Sequence, residues 1–375
     1  MRKIKKILSS ILPTILVSAL LLLAADYFLG PRLMAGLQDT DQMEALKEVY
    51  EKKYRVSHPV YHHTLAPNFD GEGMWGGKTY RVCTNSFGFK DRCDRTTPDN
   101  KVYDVAFMGD SFAEGIGLPY EQTFVGKVAA ALPNLRIANF SVGSYSPSIY
   151  LVKTRELLSE GFRFKELIVM VDISDIQDEA VHYAIKDGVV LPVDPMRGSA
   201  IDTQATSYGV KRRLEQMFPL TYAGMRALKT WIINPEYARQ KVFVFADRSA
   251  WTYDPAVGGY GAMGIDGAIE KSVLLMTELH DLLQKNGIAL SVMVYPWPSQ
   301  LRFDKVDSRH AQIWRDFCKG RCRNFYDEFP LFFDTAAALG LEPMIDRYFV
   351  KGDVHHTEIG EQLMADDFLK SYAPL

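Results

Sequence analysis

Basic residues are scarce where a nucleic-acid-binding chain would need them. In 375 residues, 43 lysines and arginines are outnumbered by 46 aspartates and glutamates, for a formal net charge of −3. Beyond the N-terminus no basic run forms an electrostatic footprint, which argues against nucleic acid as a partner. No internal repeat and no low-complexity stretch occurs either, so solenoids and disordered arrays are set aside. Cysteine is limited to four residues, Cys83, Cys93, Cys318 and Cys322. Neither pair has CxxC spacing or a histidine at zinc-finger distance, so a zinc site is the weaker alternative. Each pair is close in sequence with turn-like residues between. That suits two local disulfides, Cys83–Cys93 and Cys318–Cys322, in an oxidising compartment. What the chain does have is ordinary globular material, 47% hydrophobic, 24% charged and 12% aromatic. Its length allows two average domains or one large α/β domain with insertions.

The first thirty residues differ from the rest. Arg2, Lys3, Lys5 and Lys6 precede an uninterrupted apolar or small stretch from Ile7 to Ala25. At about 1.5 Å per residue this comes close to the roughly 30 Å hydrocarbon core. The basic flank holds the N-terminus in the cytoplasm and sends the remainder outward, and Pro13 is tolerable within such a helix. A cleaved signal peptide is the competing reading. The stretch is longer than a usual h-region, however, and no clear small-x-small site follows it. Residues 1–30 are therefore expected to anchor the chain in a lipid bilayer by a single transmembrane helix, with the body extracytoplasmic.

From Val102 onward, near-continuous apolar runs alternate with helical spacing. Val102–Met108, Arg136–Val142, Leu167–Ile173 and Ala289–Tyr295 read as strands buried on both faces. Thr123–Leu132, Ile149–Leu158 and Ala268–Gln284 read as helices, the last stopped by Gly287. This alternation predicts right-handed βαβ units and a three-layer α/β/α sandwich with a parallel sheet over 101–375. Two regions break the pattern. Residues 31–100 have weak periodicity and read as a stalk with an irregular extension. Residues 180–265 are too long for one crossover and read as a helical insert, a cap or a solvated excursion; it contains the basic 210-VKRRLEQMFPLTYAGMRALKTW-231.

The chemistry starts at 104-DVAFMGDSFAEGIG-117, where a strand ends on Gly109-Asp110-Ser111. A serine between a strand and a helix aims its hydroxyl above the carboxyl edge of the sheet, where open α/β sheets place their ligands. A helix cap is the bland alternative. A nucleophilic serine needs a base, and the base needs orienting. Near the C-terminus, 350-VKGDVHHTEIGEQLMADDFL-369 offers Asp353 and His355, two apart and so on one side of an extended segment. His356 is the alternate base at three residues from Asp353. Thr357 reads as the N-cap of a final helix. His58, His62 and His63 are read as structural rather than metal-ligating. Trp251, Tyr253, Trp297 and Tyr295 are aromatics that could stack on sugars, Trp297 and Tyr295 being favoured because their strand ends at the same edge as Ser111.

These blocks resemble the SGNH (GDSL-type) hydrolase superfamily, named for a Ser, a Gly, an Asn and a His. Gly109-Asp110-Ser111 matches the first block, and Gly143 in 138-ANFSVGSYSP-147 the second. The last looks like 353-DVHHTEIG-360, similar to branches using an Asp-x-His pair, among them polysaccharide O-acetyltransferases and acetylesterases. Segments 84-TNSFGFKD-91, 115-GIGLPYEQTF-124 and 294-VYPWPSQL-301 look like features of membrane-anchored SGNH proteins of bacterial envelopes. One block departs: where the family has Asn before Asp, 171-VDISDIQDE-179 has Ser174 before Asp175. Asp175 facing an oxyanion would oppose catalysis unless protonated.

The resemblance implies a flavodoxin-like sandwich and a Ser111–His355–Asp353 triad. It also implies an oxyanion hole of Ser111 N–H, Gly143 N–H and Ser174 Oγ, or a weakened one. It implies removal of O-acyl, chiefly O-acetyl, groups from an extracytoplasmic glycan, with neither cofactor nor metal, at the bacterial inner membrane facing the periplasm. An O-acyltransferase fed by a membrane acyl-donor protein, and a catalytically weakened glycan-binding protein, are the alternatives.

Overall fold

The computed structural model describes residues 46–95, 100–193 and 246–375, together with 21–30 and scattered positions within 13–18 and 217–225. The chain divides into one unit of Met1–Leu46 with Ser199–Val242 and a second of Lys47–Gly198 with Phe243–Leu375. In the first unit the buried Asp26 carboxylate accepts from the backbone N–H groups of Leu220 and Thr221 at 3.0 and 2.6 Å. The expected anchor, Ile7–Ala25, lies largely outside the described residues. Among those described, no helix is long and apolar enough to cross a membrane.

The second unit is built on strands whose residues can be buried on both faces. The described residues form eleven strands: β1 (Arg55–His58), β2 (His62–Leu65), β3 (Asp70–Trp75), β4 (Lys78–Cys83), β5 (Val102–Gly109), β6 (Ile137–Asn139), β7 (Arg163–Met170), β8 (Tyr183–Lys186), β9 (Val189–Pro192), β10 (Ala289–Val294) and β11 (Phe325–Asp327). Five of them form the central sheet, in the order β11-β10-β7-β5-β6, with every pairing parallel. Its middle is largely apolar: Phe107, Met108, Leu167, Ile168, Val169, Val292, Met293 and Val294 are fully buried.

The strand order explains the layers. After β5 the chain steps outward to β6, then recrosses β5 and builds away in the other direction. Right-handed crossovers must then place the first helix on one face and the later ones on the other. The first is α2 (Phe124–Ala131), after the short α1 (Ser111–Glu114). Those on the other face include α3 (Pro147–Ser159), α4 (Asp175–Val181), α5 (Gly264–Lys285) and α6 (Arg309–Cys318). The last helix, α7 (Glu358–Ser371), returns to α2. There Phe368 meets the rings of Phe107 and Phe124 at 5.9 and 5.5 Å. Glu361 of α7 accepts from the Phe124 N–H at 2.6 Å and so caps the start of α2.

The four expected strands are present with shifted ends, and the fifth, β11, is three residues without an apolar run. Regular structure also appears where little was expected. Within 31–100, β1 with β2 and β3 with β4 form two antiparallel hairpins. Gly71, Gly73 and Glu72 dilute the alternation in β3, which is why its periodicity reads as weak. In the insert, β8 and β9 form a third hairpin. Most of 194–245, with the basic segment, lies outside the described residues. Both expected cysteine pairs lie at disulfide distance, with S–S separations of 2.05 and 2.06 Å.

Phe107 carries sheet, α2 and α7 contacts at once. Phe107→Ala is expected to lower unfolding stability by about 3–5 kcal/mol, measured by denaturant titration.

Candidate active site

β5 delivers Ser111 because its last residue is glycine. A Cβ on Gly109 would lie 2.7 Å from the Ala113 side chain and 2.8 Å from the Met170 carbonyl, so the tight turn onto α1 admits only hydrogen there. Asp110 caps that turn, its Oδ1 accepting from the Phe112 N–H at 3.0 Å. Five residues after Asp110, Gly115, at φ +70°, closes α1 in the left-handed region. Ser111 is thus held at a strand-to-helix corner.

The loop before α7 brings the other two groups. The Ser111 hydroxyl lies 2.8 Å from Nε2 of His355, across 244 residues of chain. Nδ1 of the same ring lies 2.8 Å from Oδ1 of Asp353. A carboxylate only accepts, so Nδ1 carries the hydrogen and Nε2 presents its lone pair to the serine. Burial pushes Asp353 upward, but its hydrogen bonds and the His355 charge outweigh this and hold it at about 2. It stays ionised at any neutral pH. This chain of bonds can take the proton from Ser111 as its oxygen attacks an acyl carbon.

Residues that sequence reasoning passed over complete the support. Trp75, at the end of β3, donates its indole N–H to Asp353 Oδ2 at 2.6 Å and sets its ring edge-on to His355 at 4.9 Å. Phe112 stacks on the opposite part of the imidazole at 4.8 Å. His355 is consequently only 6% exposed. Arg55 of β1 pairs with the buried Glu114 through two bonds of 3.0 Å each. His63 of β2, pushed down by burial to about 3 and hence neutral, donates from Nε2 to the Gly143 carbonyl at 2.8 Å. No signal in 31–100 linked these residues to Ser111, since their partners lie far along the chain.

Other expected residues fall elsewhere. Gly143 N–H donates to Glu114 Oε2 at 2.7 Å. The Ser174 hydroxyl donates to Asp172 Oδ1 at 2.5 Å and Ser174 is 2% exposed. Both donors intended for an oxyanion are therefore committed to carboxylates. The Ser111 N–H, first in α1, has no intrahelical acceptor by its position. His356 faces away from Asp353, with Nδ1 3.6 Å from Glu361 and its ring stacked on Phe332 at 5.3 Å. Tyr295 and Trp297 are 0% and 2% exposed, Trp297 giving its N–H to Asp172 at 2.8 Å. Neither offers a face to a sugar; both are core, because β10 ends inside the fold. Trp251 is likewise buried, bonded to the Ile173 carbonyl at 3.0 Å. Asp175 is fully buried beside Asp110 and Asp172.

No protein-family model and no curated protein matches the chain. Among solved structures it is similar to a member of the lipolytic G-D-S-L family from Veillonella parvula, at 12% identity over 72% of this chain and 99% of that one, TM-score 0.40. It is also similar to a psychrotrophic esterase from Pseudoalteromonas sp., at 10% identity over 72% and 96%, TM-score 0.35. A catalytic mutant of an acetylxylan esterase from Geobacillus stearothermophilus is similar at 11% identity over 72% and 93%, TM-score 0.36. These are likenesses at low identity and low superposition. The chemistry is read from Ser111, His355 and Asp353 themselves.

Trp75→Phe keeps the ring against His355 and removes only the bond to Asp353. It is expected to slow fluorophosphonate labelling of Ser111 by about 10- to 100-fold, the worth of one hydrogen bond to a charge. Asp353→Asn releases the imidazole tautomer and should approach a 10⁴-fold loss, an order of magnitude set by comparable triads. Equal labelling rates in wild type and both variants would show that the serine is not activated this way.

Proposed function

We propose that the chain is a serine ester hydrolase that removes O-acyl groups, chiefly O-acetyl, from a glycan outside the cytoplasm. The observation that carries this reading is the unbroken hydrogen-bond chain from Ser111 through His355 to Asp353. Ser111 Oγ attacks the ester carbonyl and gives its proton to His355 Nε2. The tetrahedral intermediate collapses, the proton passes to the departing sugar oxygen, and an acyl-serine remains. Water, deprotonated by the same nitrogen, then attacks the acyl carbon and releases the acid. Every step is a proton or acyl transfer that these side chains can perform.

The oxidising compartment draws support from the two cysteine pairs at disulfide distance. The basic and apolar N-terminus supports tethering to a bilayer with the body outside. A glycan substrate is supported by the resemblance of the Asp353-x-His355 block to carbohydrate acetylesterases.

A second reading, transfer of the acyl group to a sugar hydroxyl, draws on one observation. His355 is enclosed by Phe112 and Trp75, and a dry acyl-enzyme protects its ester from water until another hydroxyl arrives. A membrane protein supplying acyl groups would then be the partner.

Wild-type protein is expected to hydrolyse p-nitrophenyl acetate, and Ser111→Ala to lower the rate by at least about 10³-fold. A fluorophosphonate should label Ser111 and no other residue, as read by mass spectrometry. Acceleration by an added oligosaccharide, with acyl groups appearing on it, would move the assignment to transfer. No turnover of any ester, with no labelling, would leave a glycan-binding protein.

A further inference from the structure

Beside Ser111 stand carboxyl groups that the proposed reaction does not use. One oxygen from each of Asp110, Asp172 and Asp175 lies within 4.8 Å of the others, and the residues are 4%, 0% and 0% exposed. The sheet imposes this meeting. β5 and β7 are parallel neighbours in register up to Gly109 opposite Met170, so the residues just past each strand end share one small volume. Three full charges at that spacing, away from water, repel too strongly to persist.

The donors reaching the three are unequal. Asp172 accepts from the Ser174 N–H and hydroxyl on Oδ1, at 2.8 and 2.5 Å, and from the Trp297 indole on Oδ2 at 2.8 Å. Asp110 accepts from the Phe112 N–H at 3.0 Å, from the Tyr295 hydroxyl at 3.4 Å, and lies 3.2 Å from the Ser111 hydroxyl through Oδ2. Among the described residues Asp175 accepts only from the Tyr150 hydroxyl, on Oδ2 at 2.9 Å. Its other oxygen, Oδ1, is buried and has no partner among the described residues. The neighbouring cation, Arg248, is bonded to Asp178 Oδ1 at 2.6 Å, and His182 lies 3.7 Å from that same oxygen.

We propose that this cluster holds a proton: Asp175 is the neutral acid, its Oδ1 carrying the hydrogen, while Asp110 and Asp172 keep their charges, and Asp175 thereby acts as a positioning residue for Ser111. A proton on the unpartnered oxygen removes one of three clashing charges, and a neutral carboxyl is cheaper than a carboxylate to leave buried without a donor. Burial, then the charges of Asp110, Asp172 and Asp178, push the Asp175 carboxyl well above the usual carboxylate range. Burial and Asp172 push Asp110 the same way. The consequence reaches Ser111 because its hydroxyl has two acceptors, His355 Nε2 at 2.8 Å and Asp110 Oδ2 at 3.2 Å. Only the first leads to attack. If Asp175 ionises, the added charge strengthens Asp110 as a competing acceptor and opposes the anionic intermediate. The effect on turnover rests on the ester-hydrolase reading; the proton itself does not.

The test uses the full chain with three readouts. Infrared spectroscopy with ¹³C-aspartate labelling should show a carboxylic-acid C=O band at neutral pH that Asp175→Asn removes. Stability has a definite sign. The native value lies above the unfolded one, so the native state keeps a proton the unfolded state releases. Folding should then weaken about tenfold per pH unit, relative to Asp175→Asn, as pH rises from the unfolded value toward the native one. With p-nitrophenyl acetate, wild type should lose rate at alkaline pH, and Asp175→Asn should lack that decline.

Absence of the infrared band in wild type overturns the proposal whether or not the variant folds, as does parallel pH dependence of stability in both proteins. Stoichiometric retention of Mg²⁺, Ca²⁺ or Mn²⁺ by wild type after dialysis, lost in Asp175→Asn, would also overturn it in favour of a cation site. An inactive wild type that still shows the band would count against ester hydrolysis and leave the proton in place.

Discussion

The site depends on a meeting between two corners of one sheet layer. Ser111 stands where β5 turns into α1, and His355 stands in the loop that enters α7. Neither corner is useful alone. The serine's ordinary acidity leaves it unreactive, and the histidine is one imidazole among eight in the chain. Their 2.8 Å contact exists because α7 packs back on α2 through Phe368, Phe107 and Phe124. Those aromatic contacts fix the loop before α7 against the carboxyl edge of β5. Apolar burial thus sets the distance over which a proton moves.

Support for these groups comes from the part of the chain with the least regular sequence. Two hairpins ahead of β5 place Trp75 on Asp353, Arg55 on Glu114 and His63 on the Gly143 carbonyl. Each bond orients a group that itself touches Ser111 or its neighbours. The Glu114 contact has a cost for the chemistry expected of Gly143, whose N–H is bonded to that carboxylate rather than open to a substrate oxygen. Ser174 is committed in the same way to Asp172. Electrostatic stabilisation of an anion at this site is therefore shaped as much by the buried acids nearby as by donors, which is why their protonation matters.

Much of this was legible beforehand, and the reasons are specific. Apolar runs at Val102–Met108 and Leu167–Ile173 announce themselves because parallel strands are buried on both faces. Asp353 and His355 are close enough in sequence for their bond to be foreseen. β11 escaped notice because three residues have no period to read. The roles of Trp75 and Arg55 were illegible for a different reason: their partners are 278 and 59 positions away, and nothing local marks either residue. Tyr295 and Trp297 were misplaced as sugar platforms because strand position alone does not say whether a ring at its end faces solvent or the interior.

The amino-acid sequence by itself determined the alternation of strands and helices, the glycine that lets β5 turn onto a serine, and the carboxylate–imidazole pair two residues apart. These are local matters, governed by backbone sterics and by hydrogen bonds between near neighbours. Tertiary structure alone decided which histidine reaches Ser111, which N–H groups are already spent, and that three aspartates are buried side by side. Those outcomes depend on strand order and helix packing, which bring together groups whose separation along the chain carries no record of their distance in space.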